Sequence, residues 1–370
     1  MKGYLILLLA FVALAAADYE PFEDEDLSDV MEAEVEDDHI WRVPQFDGSF
    51  KMMTEQEAKD LTIVSEIIER IKNDPHFQNK RRKVRFFLHT QKNVMKWQEI
   101  DMDRPETLHR SNFNSSHPTR FFAHGWLSGM HQVQSYEIID SHLMNGRKED
   151  YNIFIVDWSC MSMTWNYYLA RLRTRKAGLR TAEFIDWLHT EGGLKFDTTH
   201  VFGHSLGAHV AGFTGKQVTK GKLKTIVGLD PAMPFFRTKN PQNRLADTDA
   251  EYVETIQTNG RELGFYHPIG QAAFYPNGGL RQPGCGSDIL GGCAHSRAPT
   301  FLAEAVARGT YNSFNTVKCK DWTEMRNKQC SGDSEGVRMG DPENYKKAKG
   351  VYYLVTEASV PFGVGEFYKK

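Results

Sequence analysis

Gly203-His204-Ser205-Leu206-Gly207 is the stretch that decides the fold. A short apolar segment precedes it and Ala208-His209-Val210-Ala211-Gly212-Phe213 follows it, so the pattern predicts a strand, a sharp turn and a helix. A Gly-x-Ser-x-Gly sequence in that setting is typical of a nucleophile elbow, whose glycines let the strand and the helix pass closely. Because such pentapeptides also occur in surface turns, the interpretation requires a later acid, a later histidine and an earlier oxyanion donor.

Apolar segments with strand character alternate with helical stretches on both sides of this turn. Several of the segments are continuously apolar, as expected for strands that are buried on both faces. The alternation predicts an α/β fold with a mostly parallel central sheet. The predicted strands are 84–88, 119–123, 152–156, 200–202, 224–229 and 251–256, and the main predicted helices are 167–189, 206–217 and 298–308.

The predicted acid is Asp230, which directly follows the apolar segment 224–229. The carboxyl end of a neighbouring strand is where an acid that orients a catalytic histidine belongs. The alternative is an ordinary turn aspartate before proline. Asp247 and Asp249 compete for the role, but both lie in a polar connection rather than at a strand end.

The predicted base is His295, in Cys293-Ala294-His295-Ser296-Arg297-Ala298. The sequence contains 14 histidines, and chain order together with a predicted loop just before a helix selects this one. His204 and His209 flank Ser205 too closely to act as its base. We assign them packing or hydrogen-bonding roles.

The predicted oxyanion donors are the backbone N–H groups of Trp126 and Leu206. Trp126 belongs to His124-Gly125-Trp126, directly after the predicted strand 119–123, and Leu206 follows the nucleophile. The Trp126 side chain has an alternative role as a core or cleft-wall aromatic. Together these residues predict acyl transfer to water, with Ser205 as nucleophile and His295 as base.

The first 17 residues have the pattern of a signal peptide. A basic start, a short apolar run and Ala15-Ala16-Ala17 predict cleavage after Ala17. The run is shorter than the roughly 20 apolar residues that span a bilayer, so we expect a secreted, soluble protein. Asn114-Ser115-Ser116 is then a potential N-glycosylation site.

Residues 18–52 are expected to form an acidic, disordered leader, since 18–38 are rich in Asp and Glu and lack Lys and Arg. Thr54 and Glu57 have capping-box spacing and predict an amphipathic helix within 53–79. This helix is either a structural element or a pro-segment over the active-site face. The apolar face of the helix consists of Leu61, Val64, Ile68 and Ile71.

The five cysteines are sorted by their spacing. Two pairs are close enough in the chain for local disulfides in a secreted protein. Cys160 is left over and is expected to be a buried free thiol, because it follows an apolar strand. The predicted pairs are Cys285 with Cys293 and Cys319 with Cys330.

Five ordered motifs resemble the pancreatic-lipase family, and within it the insect digestive lipases and venom phospholipases A1. The resemblance covers about residues 80–365 and implies one catalytic domain, 80–370, with the α/β-hydrolase fold. It also implies Ser205, Asp230 and His295 as triad and lipid esters at a lipid–water interface as substrate. The motifs are 203–209, 229–232, 274–279, 283–285 and 293–298.

Departures from the family pattern limit the substrate and partner predictions. The family's lid lies between Cys285 and Cys293, and here this loop has seven residues with Ile289 and Leu290 as its large apolar members. Such a short lid resembles the phospholipase A1 branch and favours phospholipids. Digestive relatives with equally short lids leave neutral acylglycerols as the alternative substrates. The sequence ends about where the catalytic domain would, so we expect no C-terminal β-sandwich and no colipase.

The resemblance bears also on metals and on activity. The family's calcium loop corresponds to the stretch around Arg244, Ala246 and Asp249, and Ala246 stands at an aspartate ligand position. We therefore expect no metal. We also expect no cofactor and no nucleic-acid partner. The alternative function is a non-catalytic lipid-binding or yolk-like storage protein on the same fold, for which Ala273, often acidic in relatives, is the one supporting feature.

Overall fold

The structure is a computed structural model, and it describes residues 39–72, 83–143, 150–289, 291–307 and 314–365. The predicted signal peptide and residues 18–38 of the predicted leader lie outside these residues. Within the described ranges, no helix is both long and apolar enough to span a bilayer.

Residues 41–53 form an antiparallel hairpin, so the expectation of disorder up to residue 52 is wrong for them. Strand β1 (Trp41–Pro44) pairs with β2 (Phe50–Met53). Trp41, Val43 and Met53 are buried in the largest hydrophobic cluster. The burial of these apolar side chains offsets the entropy cost of ordering the segment. The prediction of disorder was based on the high charge of residues 18–38 and was extended too far along the chain.

Helix α1 (Glu55–Lys72) begins with the predicted capping box. The Thr54 N–H donates to Glu57 Oε2 at 2.8 Å, and the Glu57 N–H donates to Thr54 Oγ1 at 3.2 Å. The Asn166 amide donates to Ser65 Oγ at 2.8 Å, which ties the helix to the body of the protein. Leu61 packs on the same cluster as the hairpin, whereas the side chains of Val64, Ile68 and Ile71 lie outside the described residues. These contacts favour the structural alternative for α1.

A ten-stranded sheet forms the centre of the fold, in the order β11-β12-β10-β9-β8-β7-β5-β6-β3-β4. The strands from β12 to β6 run parallel, and β11, β3 and β4 are antiparallel to their neighbours. The mostly parallel sheet predicted from the sequence is therefore confirmed. The strands are β3 (Arg85–His89), β4 (Gln98–Ile100), β5 (Thr119–Ala123), β6 (Asn152–Asp157), β7 (Thr199–His204), β8 (Thr225–Leu229), β9 (Tyr252–Ile256), β10 (Ala272–Pro276), β11 (Val317–Cys319) and β12 (Gly350–Leu354).

Helices cover both faces of the sheet, and alternate residues of each central strand face opposite layers. On β5, Phe121 belongs to one hydrophobic cluster and Phe122 to the other. This burial on both sides explains why the central strands are continuously apolar. The helices after α1 are α2 (Glu106–His109), α3 (Val133–Leu143), α4 (Ser159–Ser162), α5 (Tyr167–Gly192), α6 (Leu206–Gln217), α7 (Gly292–Ala307) and α8 (Trp322–Arg326).

The predicted disulfides are present, whereas Cys160 is less buried than predicted. Both predicted cysteine pairs form disulfides, and Cys160 is a free, half-buried thiol whose pKa burial raises to about 11. Asn114 is exposed, and its Oδ1 accepts a hydrogen bond from Ser116 Oγ at 2.8 Å. The side chain is therefore accessible, and its glycosylation remains a proposal.

Glu254 of β9 is a buried carboxyl group that should make stability depend on pH. It accepts hydrogen bonds from Tyr252 Oη at 2.8 Å and Asn344 Nδ2 at 3.0 Å, and burial raises its pKa from 4.5 to about 7. Between those two values the folded chain keeps this proton while the unfolded chain loses it. Stability contributed by the protonated group is therefore lost as pH rises through this window.

We predict that Glu254→Gln removes this pH dependence. The free energy of unfolding of the variant, relative to the unsubstituted protein, should rise by up to about 3 kcal/mol as pH increases from about 4.5 to 7. Urea unfolding of both proteins at a series of pH values measures this difference in free energy. Buried histidines change stability with pH in the opposite direction, but their contribution is the same in both proteins and cancels. A difference that stays constant across this range would contradict the prediction.

Candidate active site

Ser205 stands in a strained turn between β7 and α6. Its backbone angles are φ 58° and ψ −124°, a conformation that residues with a side chain rarely adopt. A Cβ atom on Gly203 would lie 2.1 Å from the Gly207 carbonyl oxygen, and one on Gly207 would lie 2.1 Å from that of Ala123. Both glycines are thus required by close backbone contacts, and the predicted strand, turn and helix are present.

Asp230 and His295, which are 65 residues apart in the chain, meet directly. His295 Nδ1 lies 2.5 Å from Asp230 Oδ2, while Asp230 Oδ1 accepts the N–H groups of Thr258 at 2.7 Å and Asn259 at 3.0 Å. Because the carboxylate accepts, Nδ1 carries the hydrogen and Nε2 of the neutral imidazole keeps a lone pair. This is the tautomer that a general base needs.

Backbone hydrogen bonds fix Ser205 beside this pair. Its N–H donates to the Leu229 carbonyl at 3.1 Å, and its carbonyl accepts the N–H of Ala232 at 3.2 Å. The turn is therefore held on both sides of Asp230. The same edge of the sheet carries the ends of β7 and β8, as the sequence predicted for the acid.

His204 and His209 have the hydrogen-bonding roles assigned to them. His204 Nε2 donates to the carbonyl of His295 at 3.1 Å, and burial holds the pKa of His204 well below its usual range. His209 Nε2 donates to the Ala232 carbonyl at 2.7 Å, and burial lowers its pKa to about 3. Both imidazoles are neutral near pH 7 and support the backbone around Ser205 and Asp230.

His295 lies in the first turn of α7, not in a loop before a helix as predicted. The side chain of Asp288 accepts hydrogen bonds from the N–H groups of Cys293 at 3.1 Å and Ala294 at 2.8 Å. A carboxylate that satisfies free N–H groups at a helix start stabilises the helix, so α7 begins earlier than its apolar pattern indicates. Sequence reasoning missed Asp288, whose signal was an aspartate shortly before the histidine segment.

The loop after β5 lies against the nucleophile. A Cβ atom on Gly125 would come within 3.0 Å of Ser205 Cβ. The Trp126 indole donates to the Thr164 carbonyl at 2.8 Å and packs edge-on against Tyr167, with ring centroids 5.2 Å apart. Leu206 is the first residue of α6, so its N–H belongs to the group at a helix start that lacks partners within the helix.

Asp157 lies beside His124, the first residue of this loop, and was also missed by the sequence reasoning. His124 Nδ1 lies 3.0 Å from the Gly125 carbonyl, and its Nε2 lies 3.4 Å from Asp157 Oδ1. Burial raises the pKa of Asp157, but its contacts with His124, Ser159 and Arg85 outweigh burial and hold it well below the usual range. Its signal was the same as for Asp230, an aspartate at the end of a predicted strand.

The predicted lid is the loop between Cys285 and Cys293. Ile289 is exposed near its tip, and Leu290 lies outside the described residues. Cys285, Cys293 and Asp288 also form the single cluster with metal-ligand spacing among the described residues. Both sulfurs belong to a disulfide and the carboxylate caps α7, so this cluster supports no metal site.

The stretch around Arg244, Ala246 and Asp249 does not fit a calcium ion. The Lys216 ammonium pairs with Asp249 Oδ1, and the Ala246 N–H donates to Asp249 Oδ2 at 2.8 Å. The Arg244 guanidinium donates to three carbonyl oxygens of the same stretch, those of Arg237, Thr238 and Leu245. The oxygen atoms that a hard cation needs are already bound by cations of this chain.

We predict that removal of divalent cations leaves the protein unaffected. The midpoint of thermal unfolding and the rate of ester hydrolysis should be equal in excess EDTA and in excess calcium chloride, because Lys216 and Arg244 supply the charge there. Differential scanning calorimetry measures the midpoint and an ester hydrolysis assay measures the rate, both on the same preparation in the two solutions. A midpoint that EDTA lowers and calcium restores would show that a cation site exists.

Comparison with known proteins places the chain in a family. The Lipase family profile matches residues 52–362. Hepatic triacylglycerol lipase of Rattus norvegicus is 37% identical over 316 residues, which are 76% of this chain and 62% of that protein. Lipase member H of Oryctolagus cuniculus is 34% identical over 266 residues, which are 70% of this chain and 56% of that protein. The chain thus spans less than two thirds of the length of either relative.

Among solved structures, the chain is similar to esterase PE8 with 16% identity and a TM-score of 0.30, over 50% of this chain and 77% of that one. A TM-score this low does not support a fold assignment, which is based on the sheet topology described above. The family profile covers most of the described residues, including the turn at Ser205 and the Asp230–His295 pair. The chain belongs to the Lipase family, as its resemblance to pancreatic lipases predicted.

Proposed function

We propose that this chain is a secreted serine hydrolase that cleaves the carboxylic esters of lipids. The observation that carries the proposal is the 2.5 Å contact of His295 with Asp230, beside a serine held in a strained strand-to-helix turn. Family membership supports ester hydrolysis as the reaction class. Secretion is supported by the pattern of the first 17 residues and by two disulfides, which persist in oxidising compartments.

The mechanism is acyl transfer through a covalent intermediate. His295 Nε2 accepts the proton of Ser205 Oγ as this oxygen attacks the ester carbonyl, and the Trp126 and Leu206 N–H groups bind the resulting oxyanion. Asp230 stabilises the imidazolium, which then protonates the leaving alcohol. Water, deprotonated by His295, attacks the acyl-enzyme, and the proton returns to Ser205 as the fatty acid leaves.

Phospholipid is the substrate class that we propose, with hydrolysis at the sn-1 ester. The loop of residues 286–292 is too short to cover a wide apolar cleft, and its described apolar side chain, Ile289, points into solvent. A cleft left open by its lid accommodates a polar headgroup beside the reacting ester, whereas a fully apolar triacylglycerol gains more from an apolar cover.

The test is hydrolysis by the purified, full-length secreted protein of dispersed phosphatidylcholine and of dispersed trioleoylglycerol, with identification of the products. We expect fatty acid and 2-acyl lysophospholipid from the first substrate and a lower rate on the second. Faster cleavage of trioleoylglycerol would overturn the substrate class and keep the reaction. Cleavage of neither, by a folded protein, would overturn the enzyme proposal and favour the storage alternative.

A further inference from the structure

Four large apolar side chains of the hairpin and the lid loop are exposed to solvent, which soluble proteins generally avoid as a group. We define them as the hairpin–lid surface. Three of them belong to the N-terminal hairpin and its flank, and the fourth belongs to the lid loop. They are Ile40, Phe46, Met52 and Ile289, with exposed fractions of 56%, 69%, 59% and 76%.

The pleat of the hairpin places alternate side chains on two opposite faces. Trp41 pairs with Met53, and both are buried against the body of the protein. Arg42 pairs with Met52, so these two side chains share the opposite face. Ile40 precedes Trp41 and alternates to the Arg42 side. The inner face of the hairpin therefore anchors it in the core, its outer face presents Ile40 and Met52, and Phe46 is exposed in the turn between the strands.

Arg42 joins this outer face to the lid loop. Its guanidinium lies over the Phe50 ring at 3.7 Å, 3.5 Å from the Ile289 carbonyl and 4.0 Å from a Glu262 carboxylate oxygen. Glu262 belongs to the loop that starts at Asn259, whose N–H holds Asp230. The surface is therefore continuous with the loops that carry and support His295 and Asp230.

We propose that the hairpin–lid surface docks the protein onto the surface of phospholipid aggregates, an inference that depends on the proposed function. A lid of seven residues supplies one described apolar side chain, and the hairpin adds three more beside it. Docking there places the lipid surface next to the candidate site. The hairpin thus performs part of what a longer lid would do.

Arg42 gives the outer face of the hairpin a cation that fits the phosphate groups of a lipid surface, and it lies between the hairpin and the lid. Lys51 is exposed but pairs with Val43, so it belongs to the inner face. Asp47, in the hairpin turn, accepts hydrogen bonds from the Ser49 hydroxyl and N–H, which lower its pKa and keep it anionic, so the cation that faces phosphate is Arg42. Apolar side chains beside a basic group bind the boundary between headgroups and acyl chains, where phosphates are available to the cation.

The test compares Phe46→Ser/Met52→Ser with Met95→Ser. Met95 is 72% exposed but lies away from the candidate site. It follows His89, the last residue of β3, which pairs with Ile153 near the start of β6, and Ser205 lies at the opposite end of the parallel strands. Binding is measured by cosedimentation with vesicles of phosphatidylcholine and phosphatidylglycerol, in a Ser205→Ala background so that the vesicles stay intact. Hydrolysis of a water-soluble short-chain ester is measured with Ser205 present.

We expect the double variant to bind vesicles at least tenfold more weakly, because burial of each large apolar side chain is worth roughly a factor of ten or more. Hydrolysis of the soluble ester should be unchanged, and Met95→Ser should match the unsubstituted protein in both assays. Vesicle binding unchanged by the double variant, or lost equally in Met95→Ser, would overturn the proposal. Association of the protein with itself through these residues, without vesicle binding, would also overturn it.

The two proposals fail separately in this design. If the soluble ester is not cleaved by any variant, the proposed function fails, while vesicle binding by the Ser205→Ala protein still decides the role of the surface. If the ester is cleaved and vesicle binding does not depend on Phe46 and Met52, the docking proposal alone fails.

Discussion

Ser205→Ala is expected to lower kcat on dispersed phosphatidylcholine by a factor on the order of 10⁶, since the other members of a triad accelerate little without their nucleophile. Alanine also fits the turn, so the fold should be retained. The rate is measured as fatty acid released by the purified variant. The control is Ser331→Ala, an exposed serine in the segment after the second disulfide, which should leave the rate unchanged.

A Ser205→Ala protein that keeps more than about a hundredth of the original activity would contradict the assignment of the nucleophile. A matching thermal unfolding midpoint excludes a loss of structure as the cause. Equal losses in Ser205→Ala and Ser331→Ala would indicate damage common to both preparations rather than a role in the reaction.

Asp230→Asn is expected to lower kcat by about 10⁴-fold, because it changes the tautomer of His295. The two N–H groups of Thr258 and Asn259 will hold the amide oxygen of the new side chain, which turns its NH₂ group toward His295 Nδ1. Nδ1 must then accept, so the hydrogen moves to Nε2 and the base for Ser205 is lost.

The matched control is Asp247→Asn, which replaces an exposed carboxylate that competed for this role in the sequence. Its kcat should equal that of the unsubstituted protein. A pH–rate profile of Asp230→Asn should show activity recovering at high pH, where an imidazole nitrogen or hydroxide serves as base. A larger loss in Asp247→Asn than in Asp230→Asn would contradict the choice of acid.

The parts of the site that the sequence predicted are those that local chemistry dictates. Gly203 and Gly207 mark the elbow because no side chain fits the contacts there, and helix 206–217 has the bounds that the pattern indicated. Asp230 was selected by its position after an apolar strand. Chain order selected His295, although its helix begins earlier than expected because Asp288 caps it.

The parts that the sequence did not predict depend on contacts between distant residues. The hairpin 41–53 is ordered because Trp41 packs on Phe235, at a ring-centroid distance of 5.6 Å, and no local pattern reports that partner. The short strand β11 is defined by its pairing with β12, and Arg42 meets the lid loop 247 residues away. Such elements are stabilised by tertiary packing, which overrides weak local propensity.

The central claim is that His295 activates Ser205 as a nucleophile, and covalent labelling tests it most directly. The protein is treated with an alkylphosphonate ester, a compound that phosphonylates activated serines, and the modified residue is located by mass spectrometry. We predict one phosphonyl group per chain on Ser205, and a rate at least a thousandfold lower in His295→Ala. A folded protein in which Ser205 stays unlabelled, or is labelled equally fast without His295, would contradict the account.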